Sequence, residues 1–355
     1  PAPFARIKPA PNKNAPWETT MPDASPGRPT PPATAPQPLI RWQKPMTTMF
    51  QAMALPALGG VYLFGWRALA VLAVACLAAF VTEWAFCRHR GQPVTSAVFV
   101  TAGLLALSLP PGVPLGVVAV GAVVAILFGK EVFGGFGRNV FNPAVTGRCF
   151  IYVCFAGFLT GPVWSQPAAE LPGGFGQWLT NAMTGATPLE AVKSAPGAVQ
   201  AAPYSLWKDI LGVQGGCIGE TSALLLLLAA AWLVWRGAAD WRSMVGAVAG
   251  AAVLSTILWL AKAPGAAHPG LSIFGGGLLF AAVFMVTDPV TSGMSRPTHF
   301  ITGALVGLAT VALRTCGIFP EGAMFAILLV NMFTPLIDVA LNAWKTAKRK
   351  ASQPA

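Results

Sequence analysis

The sequence predicts an all-α integral membrane protein with about ten transmembrane helices. Three observations carry that expectation. Charged residues are only 10% of the 355 residues, against about 25% in soluble globular domains. Hydrophobic residues reach 55%, and mean hydropathy is +0.62. Glycine (38) and proline (32) are both frequent, and membrane helices tolerate both. The charge fraction excludes an ordinary soluble enzyme, and the hydropathy excludes a collagen-like or wholly disordered chain.

Residues 1–45 hold 13 of the 32 prolines and no apolar run, so they read as a disordered, polyproline-II-rich tail. No apolar h-region opens this tail, so no cleavable signal peptide is expected, and a start on Pro1 implies a removed initiator Met. From Met46 the apolar segments run 46–66, 68–87, 94–109, 113–129, 143–160, 221–235, 243–262, 271–287, 300–315 and 320–342. Together, 46–342 form the expected transmembrane domain, and 343–355 form a basic tail. Several segments are shorter than the ~20 residues that span a bilayer. Segments 94–109 and 271–287 are therefore expected to be tilted, broken or re-entrant. Pro143 and Pro320 open their segments, where a missing N–H costs little.

An even number of spans puts both termini on one side. With the termini inside, 18 of the 23 Lys and Arg residues face inward and only Arg67, Lys193, Lys208, Lys262 and Arg314 face outward. This layout obeys the positive-inside rule. It also accounts for the net charge of +11 without nucleic acid, because the basic residues line a membrane surface. The long loop 161–220 then lies outside, and loops of that length usually carry function. The six cysteines form no C-x-x-C pair, and only three histidines are present. No metal, Fe–S or bis-histidine haem site is expected within this chain.

Four stretches look unlike lipid-filling sequence. In GKEVFGGFGRNVFNPAVTGR (129–148), Asn139 and Asn142 lie three apart near the helix that Pro143 opens. Their amides suit a planar polar ligand, and Arg138 and Arg148 suit a phosphate, another subunit or lipid headgroups; an ordinary glycine-rich turn remains the alternative. Thr184, Gly185, Ala186 and Thr187 surround accessible hydroxyls with small residues, which alone is a weak signal. GGCIGETSALLLL (215–227) places Glu220 at the mouth of a helix, either as a first-turn acid favoured by the dipole or on an ion path. Asp288, Glu321 and Asp338 sit at or near the ends of apolar runs, where carboxylates are either interfacial and structural or face a cavity.

These stretches, GGFGRNVFNPAVTGR, TGATPLE, GGCIGETSAL, TDPVTSG and FPEGAMFAILLVNMFTPLID, occur in that order over 129–342. Together they resemble one family, NqrB/RnfD: the NqrB component of the sodium-pumping NADH:quinone oxidoreductase and its relative in the Rnf complex, RnfD. The resemblance implies FMN held by a phosphoester to the last Thr of S/T-G-A-T, here Thr187, installed on the outer face by a flavin transferase. The acidic residue usual six positions earlier is Asn181 here, a departure that bears on attachment. A second, non-covalent flavin (riboflavin or FMN) is implied nearer the inner side, with Asn139 and Asn142 as candidate contacts. The implied fold is two five-helix inverted repeats resembling urea and ammonium channels, meeting around a midplane site.

The implied function is a bacterial inner-membrane subunit, inactive alone, of a redox-driven Na⁺ or H⁺ translocase. Implied partners are an FMN-bearing subunit outside, Fe–S membrane subunits, the flavin transferase, a quinone and the lipid bilayer. Glu131, Glu220, Asp288 and Asp338 are the ion-path candidates. GRCF, TGAT and the long tail favour the NqrB branch; GGCIGETSAL and the modest length favour RnfD, so both stand. A channel or secondary transporter of the same fold, and a non-redox membrane anchor, are the rival readings.

Overall fold

The protein was analysed as a computed structural model, which describes residues 38–159, 167–168, 173–180, 189, 192, 207, 210, 212, 215–220, 222–317 and 321–351. Each of the ten apolar segments contains helix. In order these are α1 (Lys44–Phe64), α2 (Arg67–Arg90), α3 (Ala97–Leu107), α4 (Leu115–Ile126), α5 (Pro143–Cys154), α6 (Ala223–Trp235), α7 (Trp241–Leu260), α8 (Pro269–Phe274), α9 (Arg296–Cys316) and α10 (Ala323–Ala351). Five of them, α1, α2, α7, α9 and α10, are long and apolar enough to cross a membrane. The chain is a multi-pass membrane protein.

The side chains are sorted as a lipid solvent demands. On α2 the buried residues include Ala68, Ala75 and Ala79, while Leu69, Leu77 and Val81 point outward. α6 buries Ala223 and Ala229 together with Leu226 and Leu233, and exposes Leu224, Leu227 and Leu228. Small inward residues let backbones approach, and exposing Leu to hydrocarbon costs nothing. The extreme case is α7 on α9. A Cβ on Gly246 would meet Phe300 O, one on Gly250 the Ala304 carbonyl, one on Gly303 the Ser243 carbonyl and one on Gly307 the Ala247 carbonyl. Two G-x-x-x-G faces thus interlock backbone to backbone.

Helix ends follow local chemistry. Gly91, at φ +61°, closes α2 behind Arg88, His89 and Arg90, where glycine avoids the Cβ penalty. Asn142, Ser222, Asp240 and Ser295 cap α5, α6, α7 and α9 with side-chain acceptors, satisfying otherwise orphaned N–H groups.

The two short segments are broken, as their length requires. α3 stops after 11 residues ahead of Leu109, Pro110 and Pro111. Its last carbonyl and one just beyond it accept from the 215–220 segment, with Gly219 N to Leu107 O at 2.7 Å and Ile218 N to Leu109 O at 3.0 Å. Such pairing is what buried irregular backbone needs. α8 stops at Gly275–Gly276–Gly277 and resumes as Leu278–Phe280 and a π-turn over Ala281–Met285. The two halves pack in matching pairs: α2 with α4 and α7 with α9, then α4 with α5 and α9 with α10. α1 with α6, and α5 with α10, join them.

Two boundaries differ from expectation. The proline-rich stretch was expected to run as a disordered tail to residue 45. Instead β1 (Ile40–Arg41) pairs in parallel with β2 (Val94–Thr95), with Ile40 opposite Val94, and α1 already begins at Lys44. Backbone bonding supplies the order that composition did not suggest. At the other end, helix α10 carries the 343–351 part of the basic tail. Most of the expected outer loop 161–220 falls outside the described residues.

Candidate functional site

α4 runs into a π-turn over Leu127–Glu131, which turns both Lys130 and Glu131 into the protein. Lys130 Nζ lies 2.5 Å from Glu83 Oε2 and donates to Thr95 Oγ1 at 2.7 Å. Thr95 in turn donates through N and Oγ1 to Glu83 Oε1, at 3.0 and 2.7 Å. Both charged side chains are enclosed, at 1% and 2% exposure. Glu131 is held separately by Arg90, Nη1 to Oε2 at 2.7 Å, with Arg90 Nη2 on the Glu131 carbonyl at 2.9 Å. A buried charge persists only when paired in this way.

Beside Lys130 lies a cavity of about 30 Å³ lined by Thr101, Phe136, Asn139, Asn142 and Asp288 among others. Residues expected from sequence to share a ligand, Asn139 and Asn142, do share this wall. Their amides are largely committed, however. Asn142 Oδ1 caps α5 through Ala144 N and Val145 N, at 3.0 and 3.4 Å, and Nδ2 donates across the bundle to Met285 O at 3.3 Å. Asn139 Nδ2 donates to Phe141 O at 3.1 Å. A space of this size admits water-sized groups beside the two amides.

The ion-path candidates separate. Asp288 keeps a place on the cavity wall while accepting from Val290 N at 3.1 Å and Thr291 Oγ1 at 3.2 Å. Asp338 instead secures the start of α9, accepting from Met294 N at 2.9 Å and Thr298 Oγ1 at 2.5 Å. Glu131 and Glu220 are each engaged by an arginine.

A second buried network stands at the break in α8. Arg148, counted among the inward-facing basic residues and offered as a contact for a phosphate, another subunit or lipid headgroups, is 6% exposed within α5. Its Nη1 reaches Glu220 Oε1 at 3.4 Å, and its Nη2 reaches Cys217 Sγ at 3.5 Å and pairs closely with Glu321 Oε2. It does not line the cavity of Asn139 and Asn142. The correction has a simple cause: a guanidinium inside an apolar helix must find carboxylates, and the two available come from segments far along the chain. Cys217, Glu220 and Glu321 offer donor atoms within 4.8 Å of one another, but the Arg148 guanidinium already bonds all three. Glycine at 277 is what admits Glu220, since a Cβ there would strike its carboxylate. Lys130, Arg148 and Arg314 are therefore not loop charges; leaving them out, sixteen basic residues against four keep the same asymmetry.

Thr184, Gly185, Ala186 and Thr187, with Asn181, lie outside the described residues. Leu189 and Val192, just beyond them, are described, and Leu189 lies against Gly275 and Gly276.

The sequence profile of the NQR2, RnfD, RnfE family matches residues 35–345. The chain belongs to that family. It is 38% identical over 280 residues to the B component of the Na(+)-translocating NADH-quinone reductase of Chromohalobacter salexigens, covering 76% of this chain and 65% of the relative, just under two thirds. It is 35% identical over 304 residues to the D component of the ion-translocating oxidoreductase complex of Halorhodospira halophila, covering 79% and 84%. It is 33% identical over 321 residues to the D component of the proton-translocating ferredoxin:NAD(+) oxidoreductase complex of Clostridium ljungdahlii, covering 86% and 92%.

In this NQR2, RnfD, RnfE family member the residues that sequence reading passed over are Glu83, Lys130 and Cys217 as network members. A signal for Glu83 was present: a lone carboxylate inside the apolar run 68–87, which membranes tolerate only with a partner.

Proposed function

We propose that this chain is the flavin-carrying membrane subunit of a multi-subunit, redox-driven Na⁺- or H⁺-translocating oxidoreductase of the Nqr or Rnf type, in a bacterial inner membrane. The observation that carries the reading is the family match over residues 35–345, with relatives of both complex types. The T-G-A-T stretch at 184–187 supports FMN esterified to Thr187. Ten crossings in two five-helix inverted repeats, with both termini cytoplasmic, suit the matching packing pairs of the two halves.

The flavin supplies electron carriage when bound; the chain's own residues set its surroundings and govern charge. The Glu83–Lys130 pair balances its charges, and Arg148 holds Glu220 and Glu321 together from three segments of the chain. Asp288 is the carboxylate that still faces an open space, so it is the ion-path residue the geometry favours over Glu131, Glu220 and Asp338. A second, non-covalent flavin (riboflavin or FMN) belongs to the same reading, with Asn139 and Asn142, which share a cavity wall, as its candidate contacts. The partners are those implied by such a complex: an outer FMN-bearing subunit, Fe–S membrane subunits, a flavin transferase, quinone and lipid.

The test is intact mass and in-gel flavin fluorescence of the denatured chain, co-expressed with a flavin transferase, with peptide mapping of 161–220. A mass increment of FMN less water on Thr187, lost in Thr187→Val, is the expected result. A bare chain overturns the reading and leaves Asn181 as the disabling departure.

A further inference from the structure

The turn that joins α6 to α7 gathers three indoles and two guanidiniums within the stretch 232–242: Trp232, Trp235, Arg236, Trp241 and Arg242. Gly237, at φ +64°, lets the chain leave α6 directly behind Arg236, in a conformation where glycine carries no Cβ penalty. Arg236 stands 5.5 Å from the Trp232 ring centroid and Arg242 4.9 Å from that of Trp241, both cation–π distances. Trp232 and Trp235 meet edge to face with centroids 5.4 Å apart. Trp235 is 74% exposed and Trp241 49%, so these indoles stand on the outside of the bundle.

The charge of this patch is only partly balanced. Among the described residues the Arg236 guanidinium meets the Trp232 ring and forms no ion pair. Arg242 has one carboxylate, Asp240, with Nη1 to Oδ1 at 3.5 Å. That carboxylate is shared: Oδ1 also caps α7 by accepting from Arg242 N at 2.8 Å, and Oδ2 lies 3.9 Å from His299 Nε2. Two guanidiniums against one carboxylate leave an excess of positive charge on an exposed turn.

The surroundings indicate what covers it. Val234 and Val245 are exposed on either side of the turn, and the outward faces of the two helices continue from them through Leu227, Leu228, Val253 and Ile257. In a multi-pass protein such faces meet acyl chains. The patch is thus the rim of a lipid-facing surface, the level at which indoles settle and headgroups lie. A small soluble anion would engage the guanidiniums and leave the indoles bare. A phospholipid engages both, with phosphate oxygens on the guanidinium N–H groups and glycerol and upper acyl carbons on the indoles.

We propose that the α6–α7 turn is a binding site for an anionic phospholipid, with Arg236 and Arg242 taking the phosphate and Trp235 and Trp241 packing on the lipid backbone. Because Arg242 lies in the first turn of α7, the bound lipid fastens the start of the helix that interlocks with α9.

The experiment titrates the full complex, purified in detergent, with radiolabelled phosphatidylglycerol. One basic residue beside an anionic headgroup is worth about fivefold in binding. Arg236→Gln should weaken phosphatidylglycerol binding by about that factor, and Arg236→Gln/Arg242→Gln by more. Trp235→Ala/Trp241→Ala should weaken it with both charges still in place. Arg88→Gln/Lys348→Gln removes two cations that stand over Trp84 and Trp344 instead, and should bind the lipid as wild type does. Wild-type binding by Arg236→Gln/Arg242→Gln overturns the proposal. So does an equal loss in Arg88→Gln/Lys348→Gln, which would mean diffuse surface charge and no site. Phosphatidylethanolamine held as tightly as phosphatidylglycerol defeats the choice of an anionic lipid, and displacement by excess inorganic phosphate defeats the choice of a lipid. Should the double arginine variant fail to assemble, Arg236→Gln alone decides, and unchanged affinity there overturns the proposal.

Discussion

Replacing Lys130 by Met should destabilise the protein more than its size change warrants, because it strands a carboxylate. Glu83 is 1% exposed and Lys130 2%, so water cannot take over from the lost ammonium. Breaking a buried pair from one side costs about 3–5 kcal/mol. The two Thr95 hydrogen bonds to Glu83 survive, which sets the expected loss near the lower figure, about 3 kcal/mol. At roughly 2 °C per kcal/mol for a chain of this size, Tm should fall by about 6 °C. The double variant Glu83→Gln/Lys130→Met removes both charges and should recover most of that, leaving about 1 kcal/mol for imperfect amide bonding. Thermal denaturation of the detergent-solubilised chain, followed by tryptophan fluorescence across the four-protein cycle, measures this coupling. A Lys130→Met Tm within about 1 °C of wild type, or a double variant no better than the single, would refute the reasoning that the pair is a compensated buried charge.

Arg148→Met leaves Glu220 and Glu321 facing each other without a cation; a loss of about 3–5 kcal/mol is expected, read as Tm in the same assay, with partial recovery in Arg148→Met/Glu321→Gln. Asn142→Ala removes the cap of α5 and the link to Met285 O, and should cost about 1–2 kcal/mol; Asn142→Asp, which keeps the cap acceptor, should lose less. Gly250→Leu forces a side chain into the Ala304 carbonyl and should cost about 3 kcal/mol, the upper end for overpacking, with loss of a monodisperse size-exclusion peak. Asp288→Asn should leave Tm within about 1 °C while lowering ion transport by the reconstituted complex; unchanged transport would remove Asp288 from the ion path.

Where sequence reading succeeded, the determinants were local. The ten apolar segments, the Pro143 opening of α5 behind Asn142, and the fracture of 271–287 at Gly275–Gly277 each depend on residues within a turn or two. Asn139 and Asn142 sharing a wall also followed from their spacing. The networks were illegible for the opposite reason. Glu83 and Lys130 are 47 residues apart, and Arg148 and Glu321 are 173 apart, so nothing in either neighbourhood announces its partner. Arg148 was offered as a contact for a phosphate, another subunit or lipid headgroups because nothing near it in sequence shows the carboxylates it meets. Asn142 read as a ligand contact because an amide before Pro at a helix start serves a cap and a cofactor equally well. The interlocked glycines of α7 and α9 were visible as spacing, but 38 glycines offer many such spacings, and only the packing says which ones touch.

That glycine seam has a mechanical consequence. Each carbonyl of one helix occupies the hollow left by a missing side chain on the other, and the hollows recur every four residues, about 6 Å. A slide of any smaller amount would drive a methyl or larger group into backbone oxygen. The contact is therefore a toothed coupling with one register, and α7 and α9 can travel only together. The broken α8 packs against α7 beside this strut, with Ser272 O held by Arg314 of α9, so it is tied to the same rigid pair.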